Sequence, residues 1–209
     1  MAGSGRIGLG ALAGILMPLA ALAQSAPAPP QSPASDGNLP TITVIGTTPL
    51  PGTGIDIDKV PANVQSLSTG DLRREGSPSL LTGMTDRLGS VSINGTLNDP
   101  VQPDVLLRGF EASPVLGTPQ GIAVYQNGVR VNEAFGDAVN WDLIPDFAID
   151  GVAVVSSNPV YGLNALGGAV LVTMKNGFTY HGFNSELAGG SFGQRSGIVE
   201  YGQQVGPYA

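Results

Sequence analysis

The pair Asn127-Gly128 constrains the local fold more tightly than any other feature of the sequence. It lies in the middle of 122–131, IAVYQNGVRV, between two runs rich in β-branched and aromatic residues. A two-residue turn with positive φ at both positions favours Asn-Gly, because its twist matches that of the two strands it joins. The sequence therefore predicts a tight antiparallel hairpin at this point.

Two helices are predicted before this hairpin. A short helix over 70–75 has Thr69 as a candidate cap. A longer helix has Ser77 as its N-cap and Pro78 as its first residue, and it ends before Gly89. The apolar residues of the longer helix share one face: Leu80, Leu81, Met84 and Leu88.

Strands are predicted in short segments between turns. Glycine accounts for 31 of the 209 residues and is scattered along the chain, which favours turns and close backbone approaches. A turn with a short helix is predicted at 141–150. The remaining segments are predicted strands: 55–60, 91–94, 105–107, 152–156 and 168–174. This order predicts a small α+β domain over 55–176, not a doubly wound sheet.

The N-terminal 40 residues have a different composition. Arg6 precedes an almost entirely apolar run over 7–22, and Ala21-Leu22-Ala23 fits signal peptidase, so 1–23 is predicted to be a secretory signal peptide. Residues 24–40 hold five prolines and few bulky apolar side chains, which predicts a flexible tether.

Residues 41–46, TITVIG, follow the tether and favour an extended backbone, because five successive residues are β-branched. A stretch rich in proline and glycine, 47–52, ends this segment. One interpretation is the first edge strand of the next domain. The other is a docking peptide that adds a strand to a partner's sheet, and the isolated position of 41–46 favours it.

The C-terminal segment 178–209 contains six of the twelve aromatic residues of the chain. Two parts of about ten residues, 181–192 and 194–205, alternate incompletely between apolar and polar side chains. Their length suits tilted strands that cross a membrane as part of a barrel, in which case Glu200 faces the lumen. A soluble hairpin would produce a similar pattern.

Several classes of chemistry are excluded by the residues present. The chain has no cysteine, which excludes thiolate sites, and its single histidine (His181) cannot form a histidine cluster. Its net charge of −7, with only nine basic residues, argues against nucleic-acid binding. A phosphate-binding loop ends in Gly-Lys-Ser/Thr and is followed by a helix. The glycine-rich stretch 161–177 is followed by an apolar strand instead, so we interpret its glycines as points of close backbone approach. Neither a catalytic residue nor a cofactor or metal site is predicted, and the chain is expected not to be an enzyme.

Five motifs, in this order, resemble the N-terminal part of TonB-dependent outer-membrane receptors. ITVIG resembles the TonB box, VPANVQSLSTGDL the start of the plug, and DVLLRGF the Arg-Gly-Phe signature. GIAVYQNGVRV resembles the plug hairpin, although the family usually has Asp-Gly at the turn. SSNPVYGLNALGGAVLVTMKNG resembles the end of the plug, with Ser-Asn-Pro where the family commonly has Arg-Gly-Pro. The five segments are 42–46, 60–72, 104–110, 121–131 and 156–177.

This resemblance implies active uptake by a plug that fills a 22-stranded barrel. The TonB box would pair with TonB in the periplasm through Thr41, Ile42, Thr43, Val44 and Ile45. Loops 111–120 and 132–141 would form the plug apex, where a ligand such as a ferric siderophore or cobalamin would meet Phe110, Phe135 and Trp141. Arg108 would make a buried ion pair in the plug–barrel assembly. The other residues expected to have structural roles are Gly109, Asn127, Gly128, Gly162, Gly167 and Gly168.

The length of the chain sets a limit on this interpretation. A 22-stranded barrel needs at least roughly 220 residues, whereas 33 residues follow Asn176. We therefore expect a fragment, a truncated gene or a plug that acts alone, in the outer membrane, with TonB, lipid and the rest of the barrel as partners. A stand-alone periplasmic binding or signalling module is the alternative, and an extracytoplasmic hydrolase is a third.

Overall fold

A computed structural model of the chain describes residues 44–45, 55–73 and 79–206. The predicted signal peptide 1–23 and tether 24–40 lie outside these ranges, as do Thr41, Ile42 and Thr43 of the predicted TonB box.

Within the described ranges, the first two strands pair only with each other. Strand β1 (Val44–Ile45) is antiparallel to β2 (Ile55–Asp56), with Val44 opposite Asp56. The predicted strand 55–60 is therefore shorter than expected. A 3-10 helix, Ile57–Lys59, replaces its second half because the Asp56 carboxylate accepts a hydrogen bond from the Asp58 N–H at 3.1 Å and caps the turn.

Strand β3 (Val64–Ser68) leads directly into helix α1 (Thr69–Leu72). The cap is Ser68 and not Thr69, because Ser68 and Asp71 form a reciprocal capping box. The Thr69 hydroxyl instead donates to the carbonyl of Asp150 at 2.6 Å, which attaches the helix to a distant strand. The predicted helix was longer, and its residues 74–75 lie outside the described ranges.

Helix α2 (Leu80–Arg87) begins later than predicted. Its N-cap is Ser79, whose hydroxyl accepts from the Thr82 N–H, whereas the predicted cap Ser77 and Pro78 lie outside the described residues. The predicted apolar face is confirmed, since Leu80 and Met84 are buried in the core.

A three-stranded antiparallel sheet follows, with strand order β4-β5-β6. It consists of β4 (Val91–Asn94), β5 (Asp104–Leu107) and β6 (Phe110–Ala112), the last of which the sequence did not predict.

The central sheet has five strands. Strand β7 (Ile122–Gln126) and strand β8 (Val129–Arg130) form the predicted hairpin, with φ of 48° at Asn127 and 82° at Gly128. Two 3-10 helices, at 141–143 and 146–148, occupy the segment predicted as a turn and a short helix. Strands β9 (Ile149–Ser156) and β10 (Gly168–Met174) complete the order β3-β9-β10-β7-β8, in which only β7 and β10 are parallel.

Strand β10 is covered on both faces. Val170 and Val172 belong to the main core beneath one face, while Ala169 packs with Tyr125 and Tyr161 on the other. Double coverage explains why the sequence of this strand is continuously apolar instead of alternating.

A second hairpin follows the central sheet. It consists of β11 (Gly182–Gly189) and β12 (Arg195–Gly202), which pair antiparallel along their whole length. No helix in the described ranges is both long and apolar enough to cross a membrane.

The glycines that precede β10 allow close contacts, as the sequence predicted. Gly168 has a φ of +146°, and a Cβ at this position would lie 2.2 Å from the Val155 carbonyl oxygen. A Cβ at Gly167 would lie 2.4 Å from the Cβ of Phe110. A side chain at either position would force two segments apart.

We predict that Gly168→Ala lowers the free energy of unfolding by about 2 kcal/mol or more, because a Cβ there displaces β9 and requires an unfavourable backbone conformation. Gly70→Ala is the matched control, since its Cβ would meet only the Ser68 hydroxyl at 3.7 Å. Urea unfolding, followed by the fluorescence of the single tryptophan, compares the two. Equal midpoints for the two variants would contradict the prediction.

Candidate functional site

Three segments meet at one end of the central sheet. Residues 110–121 precede β7 and residues 157–167 precede β10, and these strands are parallel, so both segments lie at the same end. Residues 131–140 follow β8, which is antiparallel to β7, and so return to this end. We call the three segments together the apical surface.

Backbone hydrogen bonds hold the apical segments together. The Gly121 N–H donates to the Glu111 carbonyl at 2.7 Å, and the Gly167 N–H donates to the Gly121 carbonyl at 2.8 Å. The Val139 N–H donates to the Ser113 carbonyl at 2.9 Å. Each segment is therefore bonded to another, which favours a preformed surface over three independent loops.

The structure places two of the three predicted ligand-facing aromatics on this surface. Phe110 is partly exposed and packs over the backbone of Gly121 and Gly167, where any side chain would collide with it. Phe135 is 80% exposed.

Trp141 is not part of the apical surface, contrary to the prediction. It is only 3% exposed, because it begins a 3-10 helix that packs into the main core. Its indole N–H has no hydrogen-bond partner among the described residues.

Three exposed leucines of the apical surface were missed by sequence reasoning. Leu116, Leu163 and Leu166 lie in irregular segments, where no periodicity separates an exposed leucine from a core leucine. The sequence feature that could have indicated their exposure is an adjacent glycine, which is Gly117, Gly162 or Gly167.

A charged network connects two of the segments. Arg130 donates to both carboxylate oxygens of Asp137 at 2.8 Å, and the Asn164 amide donates to Asp137 at 2.8 Å. Both bonds come from one guanidinium nitrogen, and the ion pair offsets the charges of Arg130 and Asp137.

A buried carboxylate anchors the segment 110–121 from below. Asp104 accepts hydrogen bonds from the hydroxyls of Ser113, at 2.5 Å, and Thr96. Burial and the negative charge of Asp104 raise the pKa of Glu111, and a hydrogen bond with Ser113 partly opposes this effect. Sequence reasoning missed this anchor, since an isolated aspartate in a strand carries no recognisable pattern.

The predicted structural residues lie in two places. Arg108 and Gly109 form the β5–β6 turn with φ of 54° and 87°, and the Arg108 side chain is exposed without an ion pair among the described residues. The predicted burial of Arg108 therefore does not occur within this part of the chain. Asn127 lies at the end of the central sheet opposite the apical surface. Its side-chain oxygen accepts a hydrogen bond from the Met174 N–H at 2.8 Å, which attaches the hairpin turn to β10.

Glu200 joins the C-terminal hairpin to the rest of the chain. Its buried carboxylate pairs with Arg73 at 2.5 Å and with Lys175, and it accepts from the Asn184 amide at 3.0 Å. Lys175 also donates to the Phe147 carbonyl at 2.6 Å. Glu200 therefore faces inward, towards the domain.

The opposite face of this hairpin is exposed and largely apolar. Side chains alternate along both strands, so that Phe183, Leu187, Val199 and Tyr201 point away from the domain. In the register, Phe183 lies opposite Tyr201.

A cavity of about 370 Å³ lies between α1, α2 and the tip of the second hairpin. Its walls are mixed, with Asp71, Asp86 and Arg87 on one side and glycines of the hairpin on the other. Among the described residues, no group of three or more acidic or histidine side chains is placed to hold a metal ion.

Comparison with known proteins identifies one family. The model of the TonB-dependent receptor plug domain matches residues 56–169, more than half of the chain. No curated protein matches the chain.

Solved structures of receptors are similar to parts of this chain at low sequence identity. The ferric yersiniabactin uptake receptor FyuA from Yersinia pestis is 15% identical, with a TM-score of 0.42 over 60% of this chain and 18% of that one. A chain of the FpvAI–pyocin S2 complex is 15% identical, with a TM-score of 0.49 over 74% and 19%. The hemophore receptor HasR from Serratia marcescens is 16% identical, with a TM-score of 0.47 over 69% and 22%. The chain thus spans about a fifth of the length of these proteins.

We predict that Glu200→Ala destabilises the attachment of the second hairpin by about 3 kcal/mol, since it leaves Arg73 and the nearly buried Lys175 without their shared anion. Glu186→Ala is the matched control, because Glu186 lies on the same face of the hairpin but has no ion pair among the described residues. Proteolysis at 177–181 measures the attachment. Equal cleavage of the two variants would show that the pairing contributes little.

Proposed function

The chain belongs to the TonB-dependent receptor plug domain family, and from this premise we propose that it is the plug portion of an outer-membrane receptor that takes up an iron–siderophore complex with energy supplied through TonB. The observation that carries the proposal is the arrangement of its parts. An N-terminal strand outside the central sheet, a plug with a preformed apical surface, and a hairpin with one apolar face occur in the order that such a receptor requires.

The N-terminal strand supports a TonB contact. Among the described strands, β1 pairs only with β2, through Val44 and Ile45, and takes no part in the central sheet. Among the described residues no second strand lies beside β1, and in this proposal a partner's strand adds there. In this proposal, residues 41–46 dock on TonB after removal of 1–23, and 24–40 provides the reach.

The C-terminal hairpin supports a place in the outer membrane. Its outward apolar side chains suit lipid, whereas Asn184 and Glu200 face the plug, as alternate residues of barrel strands do. We propose that 178–209 forms the first strands of the barrel around plug 55–176. A stand-alone periplasmic module, the alternative, would leave this apolar face in water.

We expect Val44→Pro and Ile42→Pro to reduce crosslinking to TonB in cells at least severalfold, since proline removes a backbone donor from the added strand. Ser35→Pro, within the tether, is the control and should crosslink normally. Undiminished crosslinking of both box variants would reject the docking role of 41–46.

Leu187→Lys should reduce the amount of native gene product in the outer membrane, because a lysine that faces lipid is destabilising, by up to about 2–4 kcal/mol at the bilayer midplane. Ala188→Lys, one residue further and on the inner face, should have a smaller effect. Fractionation and immunoblotting compare the variants. A wild-type product found entirely in the soluble periplasm would favour the stand-alone module instead.

A further inference from the structure

We propose that the apical surface selects a ferric complex that has an apolar exterior and no net negative charge, as a tris-hydroxamate chelate does. This inference rests on the proposed function, because it takes an iron complex as the ligand. It adds the chemical class of that complex.

The apical surface carries five exposed apolar side chains from its three segments, which we together call the apolar patch. Phe110 spans the backbone of Gly121 and Gly167, which joins two of the three segments. Leu116 lies against Gly136 of the third segment, where an added Cβ would be 2.7 Å from the leucine Cδ2. The members of the patch are Phe110, Leu116, Phe135, Leu163 and Leu166. Several exposed apolar side chains on one ordered surface indicate a binding site.

The charges around this patch are negative. The three apical segments contain Glu111, Glu133 and Asp137 but not a single lysine, arginine or histidine. Arg130, at the end of β8, pairs with Asp137, so these two residues together add no net charge and the net negative charge comes from Glu111 and Glu133. Arg108, two residues before Phe110 in the sequence, is exposed and has no ion pair in the described part of the chain.

These charges discriminate between the main classes of ferric chelate. Three hydroxamate groups, each with one negative charge, neutralise iron(III), whereas three catecholate groups, each with two, leave a trianionic complex. The trianion would meet carboxylates and a single cation at the apical surface, which is electrostatically unfavourable. A neutral complex avoids this repulsion and gains from covering the apolar patch.

The test measures retention of radioactive iron by isolated outer membranes that carry the native gene product. The probes are ferrichrome, a neutral tris-hydroxamate, and ferric enterobactin, a trianionic tris-catecholate. We expect ferrichrome to bind at least about tenfold more tightly. Equal or tighter binding of ferric enterobactin, or retention of neither complex, overturns the proposal. Crosslinking of the wild-type chain to TonB in the same membranes tests the proposed function separately, because it does not depend on the ligand.

Three variants locate the contact. Phe135→Ser should weaken ferrichrome binding about fivefold to tenfold through lost apolar contact. Val129→Ser, an exposed apolar residue at the opposite end of the same hairpin, should not. Arg108→Gln should also leave ferrichrome binding unchanged. Equal effects of Phe135→Ser and Val129→Ser, or a large loss in Arg108→Gln, would overturn the assignment.

Discussion

Coverage of strand β10 on both faces is the constraint on which the rest of the structure depends. The strand lies between β9 and β7, so its backbone groups are paired on both sides and its side chains are buried above and below. Such a strand needs neighbours in place before it is stable. It also needs Gly167 and Gly168 at its start, where Phe110 and the β9 backbone leave no space for a side chain.

The same strand connects the two ends of the molecule. Its start lies under the apical surface, while its end is tied to the Asn127 turn and leads into Lys175, which pairs with Glu200. The apical surface and the hairpin contact are therefore attached to one rigid element. The apolar patch is held by backbone bonds and by the Asp104 and Asp137 carboxylates, so a ligand meets a surface that needs little ordering.

The sequence predicts the elements whose conformation is local. Asn127-Gly128 has few alternatives to a tight turn, and the apolar run of β10 has flanking glycines that mark its start. Choices that depend on distant contacts are not predicted. Ser68 and Thr69 are both acceptable caps. The capping box with Asp71 selects Ser68, and the Thr69 hydroxyl bonds the distant Asp150 carbonyl instead. Trp141 is buried and Leu163 is exposed for the same reason: the position of a side chain in an irregular segment depends on the segments packed around it, which no local pattern encodes.

The position of β3 at the edge of the central sheet determines how the domain responds to mechanical force. A pull on the N-terminal segment loads the β1–β2 pair and then reaches the central sheet through β3, which is paired with β9 on one side only. The bond from the Ser156 N–H to the Asn63 carbonyl lies at the end of β3 that the pull reaches first. Detachment of β3 breaks the pairing with β9 alone, whereas removal of β9 or β10 would break pairing on two sides. The strands β7, β9 and β10 stay paired while β3 leaves, so the domain can lose its edge and keep its core.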